Sequence, residues 1–413
     1  MTVPKPASFA ERVLLIVLFI TMLTSSIAFI EPSPHDYLMG LVAVACLTAG
    51  VRLERPVALL FLLLLIWNIG GLMALLNVPG REQTIQFSAT SIYLFIAAVI
   101  FACLLSENTM SRLTAMRTAY VASAVFTALA GIAGYFHLFP GAFEHFTQND
   151  RAMGTFKDPN VYAPYLIWPA LIIMARIVLD RVRLRDLVML GILLVGLLLS
   201  FSRGAWVVFA VAAVLSFGIF LFTAPTPQRK FRIICYCVAG FAVLAISTAI
   251  FLSIDSVKEM FDIRAHAIQF YDVGQGGRFR LQELAVGALL KFPNGMGPFE
   301  FGRVHGQQQH NVYLQGFLVY GWVGGIAYIL AVLATLAVAW RSMFERTPWQ
   351  PYLVTAFAAF TGNALEGAVV DTDHWRHFFL LMGVVWGLYT ATIKYRHVKA
   401  ASSRLSHANL NSI

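Results

Sequence analysis

The amino-acid sequence predicts an all-α polytopic integral membrane protein with about twelve transmembrane helices, at roughly 20 residues per crossing, and one large outer loop that contains short helices. Of the 413 residues, 59% are hydrophobic and 12% are charged, and the mean hydropathy is +0.72. A soluble domain carries about twice that charged fraction, which excludes a disordered chain, a secreted disulfide-rich scaffold and an ordinary cytosolic enzyme. The apolar runs are continuous rather than alternating, which excludes a transmembrane barrel.

Twelve apolar runs are the predicted transmembrane helices. They are 13–30, 37–51, 57–76, 86–105, 117–137, 161–179, 186–200, 205–223, 231–253, 312–340, 350–365 and 375–393. Three runs (37–51, 186–200 and 350–365) are short for a crossing, so the count carries a margin of one or two. The run 312–340 is longer than one straight crossing needs, which indicates a tilted helix or one that extends beyond the bilayer.

The basic residues predict the orientation. With both termini cytoplasmic, 19 of the 30 Lys and Arg residues fall in inner segments, as the positive-inside rule requires. The net charge of +9 is therefore mostly a topology signal, and no nucleic-acid partner is needed to explain it. The first helix is expected to remain uncleaved, because no small-residue cleavage site follows it.

The chain divides into four predicted parts. Residues 1–253 hold transmembrane helices 1–9 and an outer segment at 138–160, residues 254–311 form the large loop, residues 312–393 hold helices 10–12, and residues 394–413 form a cytoplasmic tail. Within the loop, five apolar residues recur on one helical face and predict a surface helix over Arg278–Lys291: Leu281, Leu284, Ala285, Ala288 and Leu289.

The interior of the predicted spans contains no acidic residue. Ion-coupled transporters usually need ionisable groups at depth, so this pattern disfavours a transporter.

Arg203, in "SFSRGAW", lies between two apolar runs on the outer side. An arginine so close to hydrocarbon is costly unless it is paired or faces water. One interpretation is an interfacial arginine that extends to the headgroups. The other is an anion clamp, because the planar guanidinium matches phosphate oxygens.

Arg278 and Arg280 follow the glycine-rich segment "GQGG". Successive backbone N–H groups in such a turn can bind an anion, although a solvated loop is an equal alternative. The spacing leaves open whether both arginines or one of them face a site.

His310 begins the motif "HNVYLQ", where the large loop returns to the membrane. A histidine at a helix start is well placed for proton transfer. The alternative is an ordinary hydrated interfacial histidine. His305, five residues earlier, is interpreted as a loop residue.

The segment "EGAVVDTDHWRHFF" contains two aspartates and two histidines, namely Asp371, Asp373, His374 and His377. Their spacing is loose for a metal site. We interpret the segment as an acidic rim or an acceptor-contacting surface and predict no metal ion.

The outer segment 138–160 ends in "GTFKDPN". Asp158-Pro159-Asn160 is a turn and helix-start signal, and structural capping is the favoured role for Asn160. Lys157 and Arg151 add two outer positive charges that a diphosphate could use.

Taken in order, "SFSRGAW", "GGRFRLQELA" and "HNVYLQ" resemble the O-antigen ligase / O-antigen polymerase superfamily of bacterial envelope glycosyltransferases. Span count and loop position follow the same pattern, and "GTFKDPNVYAPYL" is similar to a segment often found ahead of that core. The resemblance implies a multi-pass protein of the bacterial inner membrane with a periplasmic active site.

The resemblance also implies a reaction. A glycan would pass from undecaprenyl diphosphate to a sugar hydroxyl, with inversion and without a metal ion or other cofactor. Arg203 and Arg278 would hold the diphosphate and His310 would act at the acceptor hydroxyl. Arg280, Asn311, Lys157 and Arg151 are predicted secondary substrate-binding residues.

The acceptor is less determined. The single large loop beside the histidine, the modest length and the compact tail favour a ligase, with lipid A-core as acceptor, over a polymerase that uses a second undecaprenyl-linked glycan. Transfer to a protein or to another surface polysaccharide stays open. A lipid-linked glycan transporter is the rival from another class, disfavoured because the unusual residues cluster on the outer side.

Overall fold

The computed structural model describes residues 8–76, 78, 81–264, 274 and 276–410, and the side chains of 403–410 are outside this description. Helices account for 77% of the chain. Two antiparallel strands of two residues each, β1 (Thr147–Gln148) and β2 (Arg151–Ala152), are the sheet content of the described residues. The predicted all-α class is therefore confirmed. Residues 265–273 of the predicted large loop, and position 275 of its "GQGG" segment, lie outside the described residues.

Eight helices form the first half of the chain: α1 (Phe9–Leu23), α2 (Pro34–Thr48), α3 (Arg55–Leu75), α4 (Glu82–Leu105), α5 (Thr109–Tyr135), α6 (Ala142–Phe146), α7 (Pro159–Leu179) and α8 (Leu184–Leu199). The second half contains α9 (Arg203–Thr223), α10 (Pro227–Phe251), α11 (Asp255–Arg264), α12 (Arg278–Lys291), α13 (Glu300–His305), α14 (Val312–Ser342), α15 (Gln350–Glu366) and α16 (Arg376–Leu410). These counts apply to the described residues.

The twelve predicted runs correspond to α1–α5, α7–α10 and α14–α16. Eight of these, within the described residues, are long and apolar enough to cross a membrane: α3, α4, α5, α7, α9, α10, α14 and α16. The other four, α1, α2, α8 and α15, have 15 to 17 residues. At 1.5 Å per residue they are shorter than the ~30 Å hydrocarbon core. The chain is a polytopic membrane protein.

The first predicted run ends earlier than expected. Helix α1 stops at Leu23, and residues 24–26 form a turn in which the Ser25 hydroxyl donates to the Met22 carbonyl at 2.6 Å. Three consecutive hydroxyl side chains (Thr24, Ser25 and Ser26) compete with the helical hydrogen bonds, which explains the early end. At the other end of the chain, α16 continues through the predicted tail to Leu410.

Small residues let the central helices approach closely. A Cβ atom added to Gly70 of α3 would lie 2.4 Å from the carbonyl oxygen of Tyr320 in α14. A Cβ atom on Gly383 of α16 would lie 2.5 Å from the carbonyl oxygen of Ala98 in α4. Such glycine contacts are typical of helix packing in membranes, where van der Waals contact drives association.

Helix α14 is broken at Gly321, which has φ 67° and ψ −179° inside the helix. The segment that follows α12 fits into this break: Trp322 N donates to the Pro293 carbonyl at 2.8 Å, and Met296 N donates to the Leu318 carbonyl. The predicted 312–340 run therefore consists of two helical segments joined at Gly321. The break also fixes the large loop to the first half of α14.

Ion pairs between helices and loops form two groups, one at each end of the bundle. At one end, ion pairs join predicted inner segments: Glu11–Arg112, Arg176–Asp186, Lys394–Glu54, Lys394–Glu107 and Arg396–Glu345. At the other end they join predicted outer segments: Glu31–Lys157, Asp36–Arg376, Arg81–Glu300 and His310–Asp371. The segments predicted to share a side of the membrane therefore contact one another.

Candidate functional site

The C-terminal end of α15 and the following turn, which we call the 366–368 turn (Glu366, Gly367 and Ala368), meet the start of α14. The backbone N–H of Val312 donates to the Gly367 carbonyl at 2.8 Å. One residue further along α14, the Tyr313 hydroxyl donates to the carbonyl of Ala364. The helix that follows His310 is thus attached directly to the end of α15.

The start of α9 meets the same turn. Arg203 is the first residue of α9 and Gly204 the second. A Cβ atom added to Gly204 would lie 2.3 Å from Oε1 of Glu366, so the Glu366 carboxyl lies against this glycine. The preceding residue, Ser202, makes no capping hydrogen bond to α9, because its hydroxyl donates to Asn160 Oδ1 at 3.1 Å.

Helix α12 reaches the turn through one side chain. Gln282 Nε2 donates to the Ala368 carbonyl at 3.2 Å and lies 3.4 Å from the His310 carbonyl. Arg278, the first residue of α12, is four residues earlier and therefore on the same helical face. The observed bounds of α12, Arg278–Lys291, are those predicted from the apolar periodicity, which is confirmed. Its apolar face packs on α14 through Leu281 and Leu318.

Three helix starts therefore converge on the 366–368 turn, and the structure brings together the segments that carry Arg203, Arg278 and His310. Helices α9 and α12 both begin with an arginine and have no side-chain cap at their N-terminus. The first N–H groups of a helix and its dipole favour an anion. The arrangement is suited to binding a phosphate group.

His310 lies immediately before the N-cap of α14 and has a left-handed backbone conformation, with φ 47°. Such conformations cost free energy in residues other than glycine and are found at functional sites. Its Nδ1 lies 3.3 Å from Oδ2 of Asp371, and 47% of its side chain is exposed. A hydrogen bond from Nδ1 to the carboxylate leaves Nε2 as the acceptor nitrogen.

The Asp371 carboxyl is more buried than its partner. Burial raises the pKa of this carboxyl, and the hydrogen bond from His310 opposes that rise. A carboxylate that orients a histidine and stabilises its protonated form is a common arrangement around a general base. Asp371 is the residue whose role sequence reasoning missed, since we assigned it to an acidic rim. It is 61 positions from His310, so no local spacing could have joined the two.

A buried polar network fixes the segments on both sides of this pair. Gln309 Nε2 donates to Gln315 Oε1 at 2.9 Å, and Gln315 Nε2 donates to Asp373 at 3.2 Å. His374 Nδ1 lies 3.3 Å from Asp373 Oδ2, and its Nε2 lies 3.1 Å from the Phe87 carbonyl. Burial lowers the pKa of His374, but Asp373, the Phe87 carbonyl and Asp371 together more than offset this, so that its pKa is raised. The network holds the residues next to His310 and Asp371 in place.

The four residues considered as a metal set have separate surroundings. Asp371 contacts His310, Asp373 contacts Gln315 and His374, and His377 belongs to α16. Across the described residues, no group of three or more His, Cys, Asp and Glu is placed to hold a metal ion.

A cavity of about 260 Å³ adjoins Asp371. Its wall includes Asp371, His35, Tyr93, Tyr165, His377 and Lys157. Nε2 of His377 is buried there without a hydrogen-bond partner among the described residues. The cavity is a space with both polar and apolar walls that lies next to the site, lined in part by α4, α7 and α16.

Arg151 is buried behind the α9 start. It lies in a tight hairpin whose turn residues Asn149 and Asp150 have positive φ, as two-residue hairpin turns require. Its Nε donates to the Ser200 carbonyl at 2.8 Å and its Nη2 to Asn160 Oδ1 at 2.8 Å. These bonds support the turn that precedes Arg203.

Asp158 caps α7 by accepting from the backbone N–H of Asn160 at 2.7 Å. The prediction that Asn160 caps this helix is therefore wrong: the cap is Asp158, two residues earlier. The Asn160 side chain instead contacts Arg151 and Ser202.

The other predicted binding residues lie around the site. Asn311 caps α14 by accepting from the backbone N–H groups of Tyr313 and Leu314. Lys157 pairs with Glu31 at 3.1 Å, and Arg280 pairs with Glu283 on the solvent side of α12. Arg278, and not Arg280, therefore shares the face of Gln282.

A family model described as O-antigen ligase matches residues 188–329. The match runs from α8 into α14 and includes Arg203, Arg278, His310 and Asn311. It confirms the resemblance to the O-antigen ligase superfamily over about a third of the chain. Asp371 and the 366–368 turn lie beyond the matched segment. No curated protein matches the chain.

Proposed function

We propose that this chain, a membrane glycosyltransferase-like protein of the O-antigen ligase family type, transfers a glycan from undecaprenyl diphosphate to a sugar hydroxyl of lipid A-core. The reaction would take place at the periplasmic face of the bacterial inner membrane, with both termini cytoplasmic. The observation that carries the proposal is the convergence of three helix starts on the 366–368 turn, which joins an anion-binding environment to a histidine–carboxylate pair.

Diphosphate binding is assigned to the starts of α9 and α12. Each supplies an arginine, Arg203 or Arg278, together with the first backbone N–H groups of a helix. Charge develops on the leaving diphosphate as the glycosidic bond breaks. Preorganised donors aimed at that charge lower the barrier, and they take the position that a metal ion occupies in other transferases.

Acceptor activation is assigned to His310. The acceptor oxygen forms a bond to the anomeric carbon on the face opposite the leaving group, while the bond between that carbon and the diphosphate oxygen breaks. The bonding electron pair leaves with the diphosphate, and the hydroxyl proton passes to Nε2 of His310. Asp371, 3.3 Å from Nδ1, stabilises the imidazolium that results. The anomeric configuration is inverted.

The distribution of Lys and Arg supports a periplasmic location of the site. The end of the bundle that contains His310 and Arg203 carries the predicted outer segments, and the excess of Lys and Arg lies in the segments at the other end. By the positive-inside rule the site faces the periplasm.

The test uses purified protein in detergent with an undecaprenyl-diphosphate glycan, lipid A-core and EDTA. Product is followed on a gel for the wild type, for His310→Ala and for the matched control His305→Ala. We expect transfer by the wild type and by the control, and a loss of at least about 100-fold in His310→Ala, since a general base contributes 10²–10⁴-fold.

Each other outcome identifies an alternative. Donor consumption only in the presence of a second undecaprenyl-linked glycan would establish an O-antigen or exopolysaccharide polymerase. Loss of transfer in EDTA would overturn the metal-independent mechanism. A protein that glycosylates neither acceptor but moves the lipid-linked glycan across a vesicle membrane would be a transporter.

A further inference from the structure

Glu366 is an unusual buried acid. It is the last residue of α15 and 4% of its surface is exposed. Neither of its carboxyl oxygens has a hydrogen-bond partner among the residues that the structure describes. Buried polar groups are nearly always paired, so this carboxyl requires an explanation that its own contacts do not give.

The carboxyl fills a space that a glycine leaves open. A Cβ atom at Gly204 would lie 2.3 Å from Oε1 of Glu366, 3.1 Å from Cδ and 3.4 Å from Cγ. One turn away, a Cβ atom at Gly362 of α15 would lie 2.6 Å from Cγ1 of Val208 in α9. The two helices therefore meet along a seam in which each glycine faces a larger side chain of the other helix.

The same stretch of backbone is fixed to the histidine helix. Gly367, the residue after Glu366, accepts the 2.8 Å hydrogen bond from Val312. Within two consecutive residues, the chain contacts α9 through a side chain and α14 through a carbonyl oxygen. The distance between the starts of these helices is thus set at this point.

An uncharged carboxyl is the form that this position favours, because an ionised carboxylate without hydrogen bonds is costly to bury. An uncharged group also leaves the positive end of α9 undiminished, whereas a carboxylate there would repel a phosphate anion.

We propose that Glu366 is a positioning residue: its uncharged side chain, packed against Gly204, sets the position of the first turn of α9, and with it Arg203, relative to His310. The inference rests on the proposed function, in which Arg203 binds the diphosphate of the donor. It gives the glycine of "SRG" a physical reason, since this residue must accommodate the Glu366 carboxyl.

The experiment compares four variants with the wild type: Gly204→Ala, Glu366→Ala, the double variant and Glu366→Gln. Gly218→Ala is the matched control, because it lies in the same helix with no atom within 4 Å of an added Cβ. The readouts are the dissociation constant of undecaprenyl diphosphate, measured by thermophoresis in detergent without acceptor, the KM values for donor and acceptor, and thermal unfolding.

We expect Gly204→Ala to weaken undecaprenyl diphosphate binding and raise the donor KM by about 10-fold or more, with the acceptor KM unchanged and Gly218→Ala like the wild type. Because the two residues share one space, their effects are coupled. In the double variant, binding should return to within about 3-fold of Glu366→Ala. Glu366→Gln, an uncharged isostere, should stay within about 3-fold of the wild type.

Other results would overturn the inference. The inference fails if Gly204→Ala binds donor like the wild type. It also fails if adding Glu366→Ala to Gly204→Ala does not restore donor binding in the double variant. Loss of binding in Glu366→Gln would mean that an ionised carboxylate is needed. Should Gly204→Ala not fold, recovery of folding in the double variant supports the inference and continued failure contradicts it. A wild type that neither binds undecaprenyl diphosphate nor transfers glycan would instead refute the proposed function.

Discussion

Replacing Asp371 with asparagine removes the carboxylate next to His310 and keeps the shape of the side chain. The Nδ1–Oδ2 distance of 3.3 Å gives an attraction between imidazolium and carboxylate of about 5 kcal/mol at an effective dielectric of ~20, and about 1.3 kcal/mol at that of water. Because 47% of the His310 side chain is exposed, the lower half of that range applies. A loss of about 1.4–2.7 kcal/mol corresponds to a 10- to 100-fold decrease in kcat.

The assay measures kcat at saturating donor and acceptor as a function of pH. Burial raises the pKa of Asp371 from the ordinary 3.8, so the carboxylate is lost on acidification at a higher pH than for an exposed aspartate. Because His310 must also be unprotonated to accept the hydroxyl proton, the wild type should show an acidic limb that steepens toward two protons, and Asp371→Asn should keep a limb of one proton. Asp180→Asn, at the opposite end of the bundle, is the control.

An Asp371→Asn enzyme with unchanged kcat and an unchanged acidic limb would refute the histidine–carboxylate mechanism. A variant with a raised donor dissociation constant and normal kcat would assign Asp371 to substrate binding instead.

Two further predictions concern the placement of α12 and the break in α14. Gln282→Ala removes the contacts of α12 with the His310 and Ala368 carbonyls. It should raise the donor KM by about 3- to 10-fold and leave the acceptor KM unchanged. An unchanged donor KM would show that Arg278 is held in place without the Gln282 side chain. Gly321→Ala places a Cβ atom 2.9 Å from Asn294 at a backbone conformation that is essentially restricted to glycine. It should lower the free energy of unfolding by about 1–3 kcal/mol, measured by thermal unfolding with Gly191→Ala as the control. Equal stability of the two variants would contradict the strain at this break.

The helices were predictable where one physical signal dominates. Continuous apolar runs indicate spans because the bilayer requires them, and the i, i+3, i+4 pattern located α12 to the residue. Boundaries failed where local chemistry competes with hydropathy. The hydroxyl side chains from Thr24 to Ser26 end α1 although the hydropathy continues. The break at Gly321 depends on a loop inserted from earlier in the chain, which a linear pattern does not encode.

The candidate site was predictable in its residue types and not in its connections. Arg203 and His310 could be selected from the sequence because charged or titratable groups at a membrane boundary are costly unless they are paired or have a function. The roles assigned to Asp371 and Glu366 depend on contacts with residues far away in sequence, which a linear pattern does not show. Arg151 shows the opposite case: it was predicted as a possible phosphate ligand, and two of its donors are used to support the turn before α9.

The position of the 366–368 turn along the chain has a consequence for biogenesis. Helices α9, α12 and α14 are all synthesised before the turn that joins them, and membrane proteins are made from the N-terminus onward. Until α15 has been inserted, Gly204 has no Glu366 beside it and Val312 has no carbonyl acceptor at Gly367. A nascent chain that stops after α14 thus contains every residue of the matched family segment and still lacks the contacts that bring the three helix starts together. The contacts that join these helix starts can therefore form only after α15 has been made.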